Sequence, residues 1–228
     1  MDHTRNIFQE HKITFVERRH EYGSVYTYVW KPIEPVLFMA GQYVHVRLEG
    51  LPEGVKAVRE FSFASAPHDP EIWFGVDQHS ESSYQKKLQE LVFGESATLF
   101  KIKGHLSWPL QTDVVMIAGG VGVTPFRSIL RDAQRKSLMI DATLLHISNQ
   151  NYLYEKDFYT LPVTYIKGAR TNLEVELAKI VIQKPDAIYQ VAGSPLFVQT
   201  IVGYLHAKGI TNIESDEFKG LMETMHIA

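Results

Sequence analysis

The chain has 228 residues, of which 45% are hydrophobic and 21% charged, and its net charge at pH 7 is −3. That length and composition suit one large or two ordinary globular domains, and so small a charge gives no electrostatic reason to expect nucleic acid or an anionic membrane as a partner. Cysteine is absent, which excludes disulfides, thiolate zinc sites, cysteine-ligated iron–sulfur clusters and a catalytic thiol. No two of the ten histidines stand three or four residues apart, so the helical metal pair is missing and no metal site is expected. No apolar run approaches the ~20 residues that span a bilayer. The N-terminus is polar and of mixed charge, without a signal-peptide core, and a cytoplasmic location is the expectation.

The first part of the chain reads as β. Residues 11–19, 24–32, 42–50, 59–67, 71–78 and 96–104 are short runs rich in Val, Phe, Tyr, Thr and Ile, bounded by Gly, Pro or charged residues. Six in succession predict an antiparallel barrel or sandwich. Residues 82–91 interrupt them: they are polar, with Leu88 and Leu91 three apart and serines at the start, which predicts a short helix capped by Ser82. After Trp108-Pro109-Leu110 strands alternate with helices. Residues 114–118 form a continuous apolar run, as in a parallel strand covered on both faces. A helix over 125–135 follows, with Phe126, Ile129, Leu130 and Ala133 on one face. Strands at 142–147, 163–167, 187–192 and 211–215 and helices at 172–182 and 196–207 complete a doubly wound α/β unit with a parallel sheet. The expected division is an antiparallel β-barrel over 1–108 and an α/β domain over 109–228.

The turn Gly119-Gly120-Val121-Gly122-Val123-Thr124-Pro125 joins the first parallel strand to its helix. Glycines let the backbone turn tightly and approach a ligand closely. Thr124 is the expected cap and Pro125 the first helical residue. Free N–H groups at that helix start favour a phosphate or pyrophosphate. The alternative is a plain glycine-rich turn. It is not the Rossmann fingerprint, because Pro125 stands where that pattern has its third Gly. Nor does an acid end the second strand, where the sequence is Ser148-Asn149-Gln150-Asn151.

Several motifs, in order across nearly the whole chain, resemble the ferredoxin–NADP reductase family in its compact bacterial form. Ala40-Gly41-Gln42-Tyr43-Val44 resembles its barrel segment, and Arg59-Glu60-Phe61-Ser62-Phe63-Ala64-Ser65-Ala66-Pro67 its flavin motif. The helix opening Ser82-Ser83-Tyr84 resembles its flavin pyrophosphate element. Gly120 to Pro125 resembles the nicotinamide-dinucleotide turn, Ala192-Gly193-Ser194-Pro195 the second nicotinamide motif, and Glu217-Phe218-Lys219-Gly220 the C-terminal signature.

The resemblance implies a flavin-binding barrel (FAD rather than FMN, since that helix opening belongs mostly to FAD-binding members) and a pyridine-nucleotide domain. Electrons would pass from NADH or NADPH to an electron-carrier protein or a small-molecule acceptor. It implies that Arg59 pairs with the flavin pyrophosphate, that Ser62 bonds the flavin N5, and that the helix start at Ser82–Tyr84 offers N–H groups. Phe61 or Phe63, on the face of Arg59, would pack on a ring, and Val76 and Asp77 would make backbone contacts. An acid among Glu214, Asp216 and Glu217 would handle a proton, with Glu217 taken as catalytic beside Ser62. Ser148 and Asn149 would lie by the ribose, with Lys156 and Arg170 as cations for a 2′-phosphate; their distance in sequence favours NADH. Outside the motif set, Arg59 would read as a surface ion-pair residue and Ser62 as an ordinary strand serine.

Three departures stand out. The family usually has Tyr at Phe61, Cys at Ala192, and an aromatic residue closing the C-terminal signature, where Leu221 follows Gly220 here. They keep two other readings open: a flavin-binding electron-transfer or regulatory subunit with little NAD(P)H turnover, and a module that has kept the fold and lost both ligands.

Overall fold

The structure is a computed structural model that describes residues 9–108, 113–139 and 141–217. Six antiparallel strands form the first sheet: β1 (His11–Tyr22), β2 (Val25–Pro32), β3 (Tyr43–Leu48), β4 (Val58–Ser62), β5 (Ile72–Asp77) and β6 (Ser96–Lys103), in the order β4-β3-β6-β1-β2-β5. The alternation that marks half-buried strands decides which face turns inward. Val44, Val46 and Leu48 of β3 and Ile72, Phe74 and Val76 of β5 join Phe15, Tyr28 and Trp30 in one core. The sheet curls so that the chain just past β4 meets β5, where Ala64 N–H donates to the Trp73 carbonyl at 2.8 Å. β4 and β5 are the two edges of the sheet and do not pair with each other, so the half-barrel keeps an open seam. Helix α1 (Ser83–Glu90) packs Tyr84 and Leu88 against the barrel, and the Ser82 hydroxyl caps it by accepting from Gln85 N–H at 3.3 Å.

The second sheet is wholly parallel. Strands β7 (Val114–Gly119), β8 (Ala142–Ile147), β9 (Thr164–Gly168), β10 (Ile188–Gly193) and β11 (Ile213–Glu217) lie in the order β11-β10-β7-β8-β9. Helices α2 (Thr124–Arg135), α3 (Glu155–Phe158), α4 (Leu173–Gln183) and α5 (Pro195–Ala207) cover it. β7 is almost wholly apolar because it is buried on both faces. The chain winds outward from β7 through β8 to β9, then returns to place β10 on the other side. The direction of winding therefore reverses between β7 and β10, and the crevice where such sheets bind ligands opens at their carboxyl ends.

One core cluster joins the halves, combining Val25, Ala64 and Leu106 with Met116, Phe126 and Leu130. Polar contacts fix their orientation. Arg127 of α2, only 3% exposed, donates to the Ala64 carbonyl and to the Asp157 carboxylate, both at 2.6 Å. Its guanidinium lies between the rings of Trp73 and Tyr154, 4.5 and 4.7 Å from their centres. Ser128 Oγ donates to the Ser65 carbonyl at 2.7 Å, and Arg131 binds Asp69 through two nitrogens. A buried arginine with backbone and carboxylate partners is directional, and removing one partner is costly.

Three local expectations change. The fourth strand stops at Ser62 rather than running to 67: Phe63 N–H still reaches the Gln42 carbonyl in register, but Gln42 N–H turns to the Met39 carbonyl and Ala64 N–H to Trp73, so the ladder ends there. Thr124 does not cap α2: a 3-10 turn, Gly120–Val123, leads into the helix, Thr124 is itself helical, and its hydroxyl donates to the Val121 carbonyl at 3.0 Å. Helix α3 has no expected counterpart. Residues 109–112, where the division of the chain was expected, and Phe218–Gly220 of the expected C-terminal signature, with Leu221 after them, lie outside the described residues.

Candidate functional site

A cleft of about 1360 Å³ lies between the open seam of the half-barrel and the crevice of the parallel sheet. The barrel wall is made by both edge strands. Arg59, Glu60, Phe61 and Ser62 of β4 face Gly75, Val76 and Asp77 of β5, with Ser82 at the start of α1. Edge strands carry backbone groups without a ladder partner, so this wall offers main-chain donors and acceptors as well as side chains. The opposite wall is the turn Gly119, Gly120, Val121 and Thr124, flanked by Ser148 and Asn149 after β8 and by Ser194 and Pro195 after β10.

Arg59 donates to the carbonyls of Val58 at 2.7 Å and Lys56 at 3.2 Å, and its guanidinium lies over the Tyr84 ring at 4.9 Å. It has no carboxylate partner among the described residues, so its charge is uncompensated at the cleft. Burial pulls its pKa below the usual arginine value. Ser62 is 6% exposed, and its Oγ finds no hydrogen-bond partner among the described residues. An unpartnered buried hydroxyl is costly unless something in the site completes it. Asp77 accepts from Ser24 Oγ at 2.6 Å and faces His79 Nδ1 at 3.2 Å. The first N–H groups of α1 have no partner within the helix, by helix geometry.

Among the carboxylates that line the cleft, Asp216 has a raised pKa. Burial first, and then the nearby Glu60 carboxylate, raise its pKa to about 6, against a smaller opposing effect of His105. Its Oδ2 is buried without a partner among the described residues. Asp216 stands in register with Ala192 of β10 and lines the cleft with Ser215 and Glu217. Tyr43, whose backbone pairs with Ser62, lines the same end, and burial together with Glu60 and Asp216 raises its pKa.

Some expected residues turn away from the cleft. Phe63 is fully buried and stacks on Phe38 with ring centres 3.9 Å apart, so its ring belongs to the barrel core. The Tyr84 side chain is equally buried and donates to the Val46 carbonyl at 3.2 Å. Ser83, Gly122, Val123, Pro125, Ala192 and Gly193 support the walls without lining them. Gly122 does so by close approach: a Cβ there would lie 2.3 Å from the Ala192 carbonyl oxygen.

Other lining residues carried no local signal. Tyr22, His79, Gln85 and Phe197 line the cleft as well. Arg170, from the loop after β9, lines it beside Ser148–Asn151, whereas Lys156 does not. Among the described residues no helix is long and apolar enough to cross a membrane.

No family model matches the chain. Among curated proteins, dual oxidase 2 of Rattus norvegicus is 32% identical over 113 residues, covering 45% of this chain and 7% of the oxidase. Dual oxidase 2 of Homo sapiens is 30% identical over 117 residues, again 7% of its length, so the chain spans a small part of the curated relatives it matches. Among solved structures, a ferredoxin NADP+ reductase from Neisseria gonorrhoeae with bound FAD and NADP superposes with a TM-score of 0.76 at 19% identity, covering 92% of this chain and 98% of that one. The flavohem-like FAD/NAD binding domain of nitric oxide dioxygenase from Vibrio cholerae gives 0.75 at 20% identity, covering 91% and 98%. The half-barrel, the parallel sheet and the cleft between them are thus the two-domain fold of the ferredoxin–NADP reductases.

Proposed function

We propose that the chain is a flavin-dependent oxidoreductase that takes electrons from NADH or NADPH and passes them to a one-electron acceptor, a separate carrier protein or a small molecule. The observation that carries this reading is the pairing of two walls in one cleft: an uncompensated Arg59 with an unpartnered Ser62 on one side, and a glycine turn at a sheet switch point on the other. The solved structures of like fold that carry FAD and NADP, or are described as FAD/NAD binding, support the choice of ligands. In this reading residues 1–108 hold the flavin and residues 109–228 the nucleotide.

The residues fit FAD. Arg59 and the start of α1 would hold the pyrophosphate by charge and by free N–H groups. Ser62 Oγ would give its unused hydrogen bond to the flavin ring, with Phe61 beside it. Val76 and Asp77 would contribute from the edge of β5. When bound, the flavin supplies the exchange between two-electron and one-electron chemistry. The chain orients the partners: Gly119, Gly120 and Val121 receive the nucleotide phosphates, Ser194 and Pro195 border the nicotinamide, and the locked interface around Arg127 holds the walls at fixed distance. Asp216 holds a proton on its carboxyl below about pH 6 and releases it above. It therefore takes the proton-handling role in preference to Glu217, which lines the cleft beside it. Arg170, next to Ser148 and Asn149, is the cation that a 2′-phosphate would meet, so NADPH is a substrate together with NADH.

The test is steady-state oxidation of NADH and NADPH by the FAD-reconstituted chain with ferricyanide as acceptor. Turnover with either nucleotide supports the reading, and a protein that retains no FAD overturns it. A second reading, a flavin-binding subunit with little nucleotide turnover, is favoured by Ala192, which is fully buried and brings no polar group to the nicotinamide wall. A flavin-bound protein that turns over neither nucleotide would select it.

A further inference from the structure

The parallel sheet contains one buried imidazole. His146 of β8 is fully buried beneath the glycine turn, in register with Ala118 and enclosed by the rings of Tyr152, Phe158 and Tyr165. Its Nε2 lies 3.0 Å from the Gly120 carbonyl oxygen and its Nδ1 3.2 Å from the Tyr165 hydroxyl. A carbonyl only accepts, so Nε2 carries the proton and Nδ1 accepts from Tyr165. Burial lowers the pKa of this ring to about 4, against the Gly120 hydrogen bond and Glu155, which favour the charged form. The ring is therefore neutral near pH 7, and its two hydrogen bonds select one tautomer.

Its partner is the residue of the turn with unusual backbone geometry. Gly120 has φ of 54°, in the left-handed region, and lines the cleft with Val121. No cis peptide occurs among the described residues, and in a trans peptide the C=O and the following N–H point in opposite directions. A Gly120 carbonyl held toward His146 thus turns the Val121 N–H away from the sheet, on the side of the cleft. An aliphatic or aromatic residue would fill this pocket as well as histidine does for packing, but it would leave the carbonyl without that clamp.

We propose that His146 is a positioning residue for the dinucleotide: its Nε2–H fixes the Gly120 carbonyl inward, so that the Val121 N–H is presented to a phosphate of the bound nucleotide. This rests on the reading of the glycine turn as the nucleotide site. Nothing about His146 touches the reacting atoms, and its effect falls on nucleotide binding.

The test is calorimetric titration of the FAD-reconstituted full chain with NAD+ and NADP+, for the native protein and for His146→Phe and His146→Gln. Phe keeps an aromatic ring in the pocket without the donor, whereas Gln can return an N–H to the Gly120 carbonyl. The expected result is a Kd raised about tenfold by Phe, as for the loss of one well-placed hydrogen bond, and restored to within about threefold by Gln, with FAD content and visible spectrum unchanged in both. A Phe variant that binds as tightly as the native chain, or a folded, flavin-bound Gln variant no better than Phe, overturns the assignment. The amide resonance of Val121 gives a check that needs no variant: it shifts on adding NAD+ if this N–H meets the phosphate, and an unmoved resonance under saturation overturns the proposal. A native chain that binds neither nucleotide removes the reading of the turn itself, and the assignment with it.

Discussion

The two walls of the cleft are built by opposite means. The barrel wall is a seam between edge strands, and beside its main-chain groups it presents distinctive side chains: the Arg59 charge and the Ser62 hydroxyl. The wall of the parallel sheet is mostly backbone, a turn held at a switch point by the fit of Gly122 against β10 and by His146 beneath it. A side-chain wall loses affinity in increments as single groups are removed. A backbone wall fails when its path is displaced, because all its donors move together.

The largest expected effect is therefore at Gly122, where a Cβ would sit 2.3 Å from the Ala192 carbonyl oxygen. Gly122→Ala should lower flavin reduction by NADH more than about a hundredfold, since a misplacement near 1 Å has that consequence, while FAD stays bound; stopped-flow reduction and flavin content measure the two separately. Arg59→Ala should do the reverse. The FAD Kd should rise about 10- to 100-fold, the range for a charge-assisted hydrogen bond, with the fold intact by circular dichroism. Equal loss of both ligands in both variants would erase the contrast between the walls. Arg170→Ala should raise KM for NADPH about tenfold and leave NADH unchanged, and a parallel change for both nucleotides would remove Arg170 from the 2′-phosphate.

Asp216 sharpens the comparison through pH. Its folded pKa is raised to about 6, above the ordinary carboxylate value of about 4. Between those values the native state holds more protons than the unfolded one, so stability falls as pH rises through that window. Asp216→Asn should remove this fall and stabilise the protein at pH 7.5 by ~1 kcal/mol, while abolishing an inflection near pH 6 in the pH profile of turnover. Thermal melts at pH 4.5 and 7.5 and a pH–rate series provide the check.

Much of the fold was legible because period and punctuation agree along the chain. Residues 142–147 were expected as a strand and form β8 without a change of boundary. The Ser82 cap was visible as a serine before a polar segment, and it caps α1. The lining of the cleft was legible where it is local. Arg59, Phe61 and Ser62 reach the cleft together because they follow one another on β4. Phe63 shares the face of Phe61, as alternation predicts, since both rings lie against Phe74, but it stands beyond the end of β4 and is buried in the barrel core. The helix start at Ser82–Tyr84 was expected to offer N–H groups, and Ser82 lines the cleft, while the Tyr84 ring packs in the barrel with Leu88, one turn further along α1. Helix α3 is four residues long, too short to show a period. Arg170 was a candidate by its charge and lines the cleft, whereas Arg127 gains its surroundings from distant segments, and no pattern along the chain announces which residues will meet across a domain interface.

In the proposed function one cleft holds a flavin and brings a nicotinamide to it. Its most direct test is the absorption spectrum of the purified, FAD-supplemented chain recorded under anaerobic conditions before and after NADH and then NADPH. The expected result is flavin bands that bleach with nicotinamide nucleotide and return on adding a one-electron oxidant. Bands that persist under both nucleotides, or protein that takes up no flavin, would contradict it.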